Sequence, residues 1–267
     1  MRELRLKRLH EEIVRNGSFR VEDGARHLSV SPETIRRDLE QLSRLGLVVR
    51  TRGGAVAPRV ALTEVHFNLR QREHAAQKSA IARAVVDGLI ANESSVALDT
   101  GSTTLEVARL LHTRRLNVVT NSLPIVEELA ASDCTVLMLG GVVRERSMST
   151  VGPLTEAGAR EFHCDLALLS APAISVDLGL MDTDVEAVAA KQALMRNATK
   201  RYAVLDHSKF GRTAFTTICP LDELTGIVTD TGLEPRILDE YREAGLDVIL
   251  ALDAPMAEDS LTEGGRS

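Results

Sequence analysis

At 267 residues, 44% of them hydrophobic, the chain is long enough to bury a sizeable core and to hold one or two domains. Trp is absent and aromatics make up 3%, so the core must be aliphatic; three cysteines (Cys134, Cys164, Cys219), far apart and without a CxxC pair, exclude a disulfide framework and a zinc site. The net charge of −6 hides an asymmetry: residues 1–59 carry 13 Lys and Arg against 8 Asp and Glu, the remainder 19 against 30, which implies two regions with different partners.

Met1 to Val14 alternates charges with leucines and has no unbroken apolar core, so neither a signal peptide nor a membrane anchor is expected there. No later apolar run approaches a membrane span, and a cytoplasmic protein without a membrane partner is the expectation. Leu4, Leu6, Leu9, Ile13 and Val14 recur near helical spacing and Asn16-Gly17 ends the run, which predicts a first helix of about three turns. A shorter helix follows over Val21 to Leu28, with Val21, Ala25 and Leu28 on one face and Gly24 inside it at a cost of about 1 kcal/mol relative to Ala.

Ser31-Pro32 supplies a capping hydroxyl and then a proline where its missing N–H costs nothing, so a third helix starts here and Gly46 ends it. Ile35, Leu39, Leu42 and Leu45 share one face of it. Thr34, Arg37 and Gln41 line another, with Arg36, Glu40 and Arg44 beside them. Hydroxyl, amide and guanidinium groups on the free face of a helix match the base edges and phosphates of a major groove. Leu47 to Arg50 reads as a strand and Arg52-Gly53-Gly54-Ala55 as a tight turn into a second, the wing of a winged helix-turn-helix. Gly53 and Gly54 permit positive φ and close backbone approach, while Arg50 and Arg52 place charge against phosphates or in the minor groove. Helical spacing alone leaves open a small three-helix protein-interaction module with solvated arginines.

The literal string goes further. Ser31-Pro-Glu-Thr-Ile-Arg-Arg-Asp-Leu39, followed after Leu42 and Gly46 by Arg50-Thr-Arg-Gly-Gly-Ala55, resembles the DNA-binding domain of the DeoR family of bacterial regulators. Gly24 departs from the family, where a larger residue is usual. Residues 59–77 read as a linker, in which Phe67, Arg70 and the following Lys78 resemble the family's joining pattern.

From Ser79 onward helix-like and strand-like segments alternate in the rhythm of a parallel sheet covered on both faces. Strands are predicted near Val96–Asp99, Leu116–Thr120, Thr135–Gly140, Leu166–Ser170, Arg201–Asp206, Gly226–Thr229 and Asp247–Leu250. Helices are predicted near Ala80–Ile90, Thr103–Leu111, Pro124–Ala131, Leu154–Phe162, Val185–Ala198 and Pro235–Ala244. Ligands of such sheets collect beyond the carboxyl ends of the strands. There Asp99-Thr-Gly-Ser-Thr-Thr104 joins a strand to a helix. Gly101 lets backbone approach a ligand, Ser102, Thr103 and Thr104 offer hydroxyls, and the helix N-terminus adds free N–H groups. A phosphate fits such a loop, and so does plain helix capping.

Other strand ends supply Thr120-Asn121-Ser122, Gly140-Gly141 and Asp206-His-Ser208-Lys209. Taken together they describe a pocket for a polyhydroxylated anion, with charge going to Lys209 and hydroxyls to Asp and Asn. The same set, closed by Val228-Thr-Asp230, resembles the sugar-phosphate sensor domain of the DeoR family, similar in fold to ribose-5-phosphate isomerases. The resemblance implies a sugar-phosphate pocket with Asp99, Gly101 to Thr104, Asn121, Ser122, Lys191, Asp206, Ser208 and Lys209 at family positions. After Asp165 the family continues with an aromatic and a glycine-containing turn, whereas this chain has Leu166-Ala-Leu-Leu-Ser-Ala-Pro172, which reshapes that strand end.

The expected organisation is an α/β protein: a winged helix-turn-helix over 1–58, a linker over 59–77, a doubly wound α/β sensor over 78–252 and a disordered polar tail over 253–267. The expected function is that of a repressor of a carbohydrate-metabolism operon, a homo-oligomer (dimer or tetramer) that binds double-stranded operator DNA and answers to a phosphorylated sugar. No cofactor, metal or catalytic residue is expected. The alternative is a sugar-phosphate isomerase-like enzyme with an accessory DNA-binding module, using Asp99 or Asp206 as base with Lys209.

Overall fold

The computed structural model describes residues 5, 6, 8–10, 12, 13, 18–28, 30–44, 47–51, 53–56, 60, 61 and 65–252. Expectations placed on Leu4, Val14, Leu45 and Arg52, on the helix-ending Asn16, Gly17 and Gly46, and on the tail 253–267 lie outside the described residues.

The helical residues 5, 6, 8–10, 12 and 13 (α1) bury Leu9 and Ile13 completely. Ser18–Arg20 (β1) leads into Val21–His27 (α2), and Pro32–Arg44 (α3) follows. The Ser31 hydroxyl accepts from the Thr34 N–H at 3.2 Å, so serine caps α3 as its position before proline predicts. Ile35, Leu39 and Leu42 pack with Leu9, Ile13, Phe19 and Val21 in one small core. Asp38 is buried on that side too, made tolerable by Arg5 Nε at 2.5 Å. Val49–Thr51 (β2) and Gly54–Val56 (β3) form the wing, and the unforeseen β1 pairs antiparallel with β3 to complete a sheet in the order β1-β3-β2. Leu47 and Val48, read as strand residues, are core residues ahead of β2. Gly24 has a steric reason: a Cβ there would lie 2.1 Å from the Phe19 ring.

Val60–Ala61 (β4), Phe67–Arg72 (α4) and Ala75–Gly88 (α5) lead to the larger part. There the chain runs through Ser95–Leu98 (β5), Ser102–Arg109 (α6), Asn117–Thr120 (β6), Leu123–Leu129 (α7), Thr135–Met138 (β7), Val142–Arg144 (β8) and Ser149–Val151 (β9). It continues with Pro153–Arg160 (α8), Cys164–Leu169 (β10), Ala173–Ser175 (β11), Gly179–Asp182 (β12), Val185–Arg196 (α9) and Ala198–Val204 (β13). Thr213–Ala214 (β14), Thr216–Cys219 (β15), Gly226–Asp230 (β16), Pro235–Glu243 (α10) and Asp247–Ala251 (β17) close it.

Seven parallel strands lie in the order β17-β16-β13-β10-β5-β6-β7. Because side chains alternate along each strand, Val96 and Leu98 of β5 join a core with α5, α6 and α7, and Ala97 joins the opposite core with α8, α9 and α10. The sheet is thus doubly wound, and its seven strands and six helices are those the pattern predicts. The short antiparallel pieces β8–β9 and β11-β12-β15 were not expected, since three or four residues give a period of two little room to show. Chain order reverses between β5 and β10, and the crevice at their carboxyl ends is where such sheets hold ligands.

Candidate functional site

The outer face of α3 carries the residues read as groove contacts. Arg36 and Arg37 extend into solvent, their side chains 55% and 75% exposed, each within loose reach of Glu33 at 3.4 and 3.7 Å. Thr34 is half-buried, its hydroxyl 2.8 Å from that of Ser31, and Gln41 is half-buried further along. In the wing, Arg50 is exposed and donates to Gly54 O at 3.2 Å. Gly53 takes φ +94°, as a tight turn requires, whereas Gly54 is needed because a Cβ would lie 1.9 Å from Phe19 O. Unburied guanidinium groups held by weak local pairs are free to exchange them for phosphate oxygens.

The second site is a cavity of about 120 Å³ at the reversal point. Of the residues the sequence singles out, Ser102, Thr103, Lys191, Asp206 and Lys209 line it. Gly101 lies beneath, where a Cβ would meet Ser170 Oγ at 1.9 Å, which explains glycine in this loop. Asp99 is wholly buried behind it and bridges β5 to β10. Its Oδ2 accepts from Ser170 N at 2.9 Å and from Lys191 Nζ at 2.7 Å, and its Oδ1 from Ser170 Oγ at 3.1 Å and Thr104 Oγ1 at 3.3 Å. Lys191 also meets Asp182 Oδ2 at 3.2 Å. Burial works against the lysine's charge, but Asp99 and then Asp182 outweigh it and raise its pKa. Asp99 and Lys191 are therefore a satisfied pair that fixes the floor of the cavity.

Asp206 follows β13 and is likewise buried. Its Oδ1 accepts from the Ser208 hydroxyl at 2.5 Å and amide at 3.1 Å, while Oδ2 has no hydrogen-bond donor and faces Lys209 Nζ at 3.7 Å. Burial alone would raise this carboxyl; Lys209, the Ser208 bond, His74 and Lys78 override it and hold it far below the usual carboxylate range. The remaining predicted residues gather elsewhere: Asn121 Nδ2 donates to Thr150 O at 2.9 Å, Ser122 is buried ahead of α7, and Gly141, at φ +150°, packs on Thr155 and Val151. Gly140 precedes it, and its carbonyl accepts from Thr155 Oγ1 at 2.7 Å.

Several cavity residues lie outside the predicted effector set, although Arg70 and Lys78 belong to the stretch that resembles the family's joining pattern. Lys78 is a buried lysine on α5 whose ammonium donates to Arg70 O and, at 2.6 Å, to Glu73 O. Burial, then Lys209, brings its pKa down to about 8. Arg70 of α4 also faces the cavity, as do Thr100, Asp182, Thr183, Arg212 and the wall formed by Ala171 and Pro172, the point of departure noted above. His10 and Leu47, from the DNA-reading part, complete the lining, and His10 Nδ1 lies 3.4 Å from Glu73 Oε1. His74, Asp206 and His207 bring possible metal donors within 4.8 Å of one another. Lys78 and Lys209 crowd positive charge onto the same carboxylate, so the surroundings favour an anion over a dication.

An outward-facing capped helix with a wing, joined to a doubly wound sheet with a cationic cavity, is the build of a helix-turn-helix transcription regulator with a sensor domain. Comparison with known proteins agrees: residues 5–60 match the DeoR-like helix-turn-helix domain and residues 73–231 the DeoR C terminal sensor domain. The chain belongs to the DeoR family. It is 38% identical to the transcriptional repressor AccR of Agrobacterium fabrum, over 77% of this chain and 81% of that protein. It is 32% identical to the glycerol-3-phosphate regulon repressor of Escherichia coli, over 82% of this chain and 87% of that one. A ribose 5-phosphate isomerase A from Methanocaldococcus jannaschii aligns over 50% of this chain and 53% of its own, at 16% identity and a TM-score of 0.38. Among the described residues, no helix is long and apolar enough to cross a membrane.

Proposed function

We propose that this chain is a cytoplasmic repressor of a carbohydrate-metabolism operon that binds operator DNA through α3 and its wing and is released when a small sugar or polyol phosphate fills the cavity. The observation that carries the reading is the cavity itself: the N-terminus of α6 with Ser102 and Thr103, faced by Lys78 and Lys209, and walled partly by His10 and Leu47 of the DNA-reading part. A ligand there touches both functions at once. Residues 1–58 and 78–252 act as the two working units joined by 59–77, and a dimer or tetramer presents paired recognition helices to successive major grooves. The relatedness to a glycerol-3-phosphate regulon repressor supports an effector of that size class.

The isomerase reading finds less support. Both oxygens of Asp99 are occupied, and Asp206, held ionised far below neutrality, is a weak base. The test is a thermal-shift screen of sugar and polyol phosphates followed by operator binding with and without each hit. A hit that raises the melting temperature and releases DNA is expected. In Lys209→Ala the ligand response drops about 10- to 100-fold while operator affinity without ligand stays the same, the worth of one charge-assisted bond. An intact response in that variant removes Lys209 from the phosphate site.

A further inference from the structure

Beside the cavity, three side chains gather whose combined chemistry goes beyond anion binding. His74, Asp206 and His207 each offer one donor atom, and these atoms lie within 4.8 Å of one another. The two imidazole rings meet edge to face, their centroids 5.2 Å apart. Asp206 Oδ2 is buried and accepts no hydrogen bond among the described residues, so its lone pairs are left for a partner that the chain does not supply.

His207 is held as a metal-binding histidine is held. Its Nδ1 lies 2.7 Å from Asp230 Oδ2, and its amide donates to Oδ1 of the same carboxylate at 2.7 Å. Asp230 is itself buried, and its Oδ2 also accepts from the Gly232 amide at 3.0 Å. A carboxylate on one ring nitrogen fixes the tautomer, with the proton on Nδ1 and the lone pair on Nε2. His74 stands between α4 and α5 in a left-handed conformation, φ 51°, which a side-chain-bearing residue adopts at a cost.

Charge decides when a metal can enter. Asp206 and Asp230 set negative charge beside the imidazoles, and Lys78 and Lys209 set as much positive charge against Asp206, so a dication gains little before an anion arrives. A phosphate monoester at neutral pH brings close to two further negative charges. Once it engages the lysines the balance turns, and a dication is favoured between its oxygens and the protein donors.

We propose that His74, Asp206 and His207 bind a divalent transition-metal ion together with the phosphate group of the effector, with Asp230 orienting His207. This rests on the reading of the cavity as a sugar-phosphate site. Two imidazoles and a carboxylate suit zinc and its neighbours, whereas magnesium and calcium take oxygen ligands. None of the cysteines belongs to the cluster, so it is unlike the thiolate site that their spacing excludes. Three protein donors leave a coordination position for a phosphate oxygen, and by linkage metal and effector each raise the other's affinity by the same factor.

The experiment uses the full chain in wild type, His74→Gln and His207→Gln, read by calorimetry and thermal shift. The metal probes are Zn2+ and Mg2+, the anions glycerol 3-phosphate and ribose 5-phosphate, and the baseline is a chelator, with metal–ester association measured without protein and subtracted. In wild type, zinc should raise the affinity for at least one ester by about tenfold or more, the ester should tighten zinc by the same factor, and magnesium should do neither. Each variant should keep the ester affinity seen in chelator and lose the zinc effect. His207 packs on Gly232, so should His207→Gln fail to fold, His74→Gln and the comparison of zinc with magnesium decide alone. Ester affinity that is the same with zinc and with chelator overturns the metal assignment and leaves the sugar-phosphate reading intact. An equal effect of magnesium, which would ride on the phosphate alone, overturns it too, as does a zinc effect that survives in His74→Gln. Wild-type protein that binds neither ester, with zinc or without, overturns both readings.

Discussion

Arginine is used in opposite ways in the two halves of this molecule. On α3, Arg36 and Arg37 stand in water beside one glutamate, cheap to place and free to change partners. In the sensor, Arg70, Lys78, Lys191 and Lys209 are drawn into a cavity where every unmade bond has a cost, so each must be answered by protein or by ligand. The first arrangement suits a duplex whose phosphates are many and interchangeable. The second suits one small anion that must be told apart from water and from other anions.

The largest effect should come from breaking a charge that the protein already answers. Lys191→Met leaves Asp99 and Asp182 facing each other at the cavity floor without their shared cation. A loss of about 3–5 kcal/mol is expected, measurable by urea denaturation, because removal of one member strands a buried charge. A loss below about 1 kcal/mol would mean that Asp99 takes up a proton at little cost and that the pair is not what holds β5 to β10.

A smaller effect is expected on the exposed side. Arg37→Ala should weaken operator binding by about 1–3 kcal/mol if the side chain reads a base edge, and the protein's own stability should not change. If Arg37 touches only phosphate, the loss will be uniform across sequences, and the slope of log affinity against log salt will fall by about one. Unaltered affinity at matched salt would remove Arg37 from the interface.

These two regions also differ in how much of them can be read from residue order. Ser31-Pro32 and the Ile35, Leu39, Leu42 stripe announce α3 because capping and helical period are local, and the same holds for the alternation that marks the seven strands of the parallel sheet. Gly101 was legible as a loop requirement, yet its actual neighbour, Ser170, follows the end of β10 far along the chain. Lys191 on an Ala-rich helix, Lys78 on another, and Arg70 in what reads as a linker are marked only by the family resemblance, since the partners that surround them are brought in by the sheet order. Asn121, Ser122, Gly140 and Gly141 lie at strand ends as predicted, but on the β6–β7 side, where their partners are Thr150, Val151 and Thr155. Topology decides which strand ends converge, and strand order is not written in any one loop.

The smallest effect sharpens the contrast most, because it needs no mutation. Lys78 is held down to about 8 by burial first, then by Lys209, against the pull of Asp206 and Glu73. A bound phosphate favours the ammonium form. Below pH 8 the charge is already present and binding requires no proton uptake; above it, each binding event must protonate Lys78, and affinity for a phosphorylated effector falls by up to about tenfold per pH unit. In the ligand-free protein the sign is opposite. The unfolded chain keeps this lysine protonated up to about 10.4, so between pH 8 and that value unfolding takes up a proton, and Lys78 makes the fold more stable as pH rises. Cys164, pushed up to about 11 by burial, and Cys219, to about 12, work the other way: above about pH 8.5 the unfolded chain gives up these thiol protons while the fold keeps them, so they lower stability as pH rises and mask the Lys78 contribution, which leaves effector binding as the readout. Calorimetry with glycerol 3-phosphate at pH 7, 8 and 9, in buffers of different ionisation enthalpy, should show proton uptake appearing only at the upper end. Operator affinity without ligand should vary far less over the same range, because the arginines of α3 do not titrate there. A flat effector profile would place the phosphate away from Lys78.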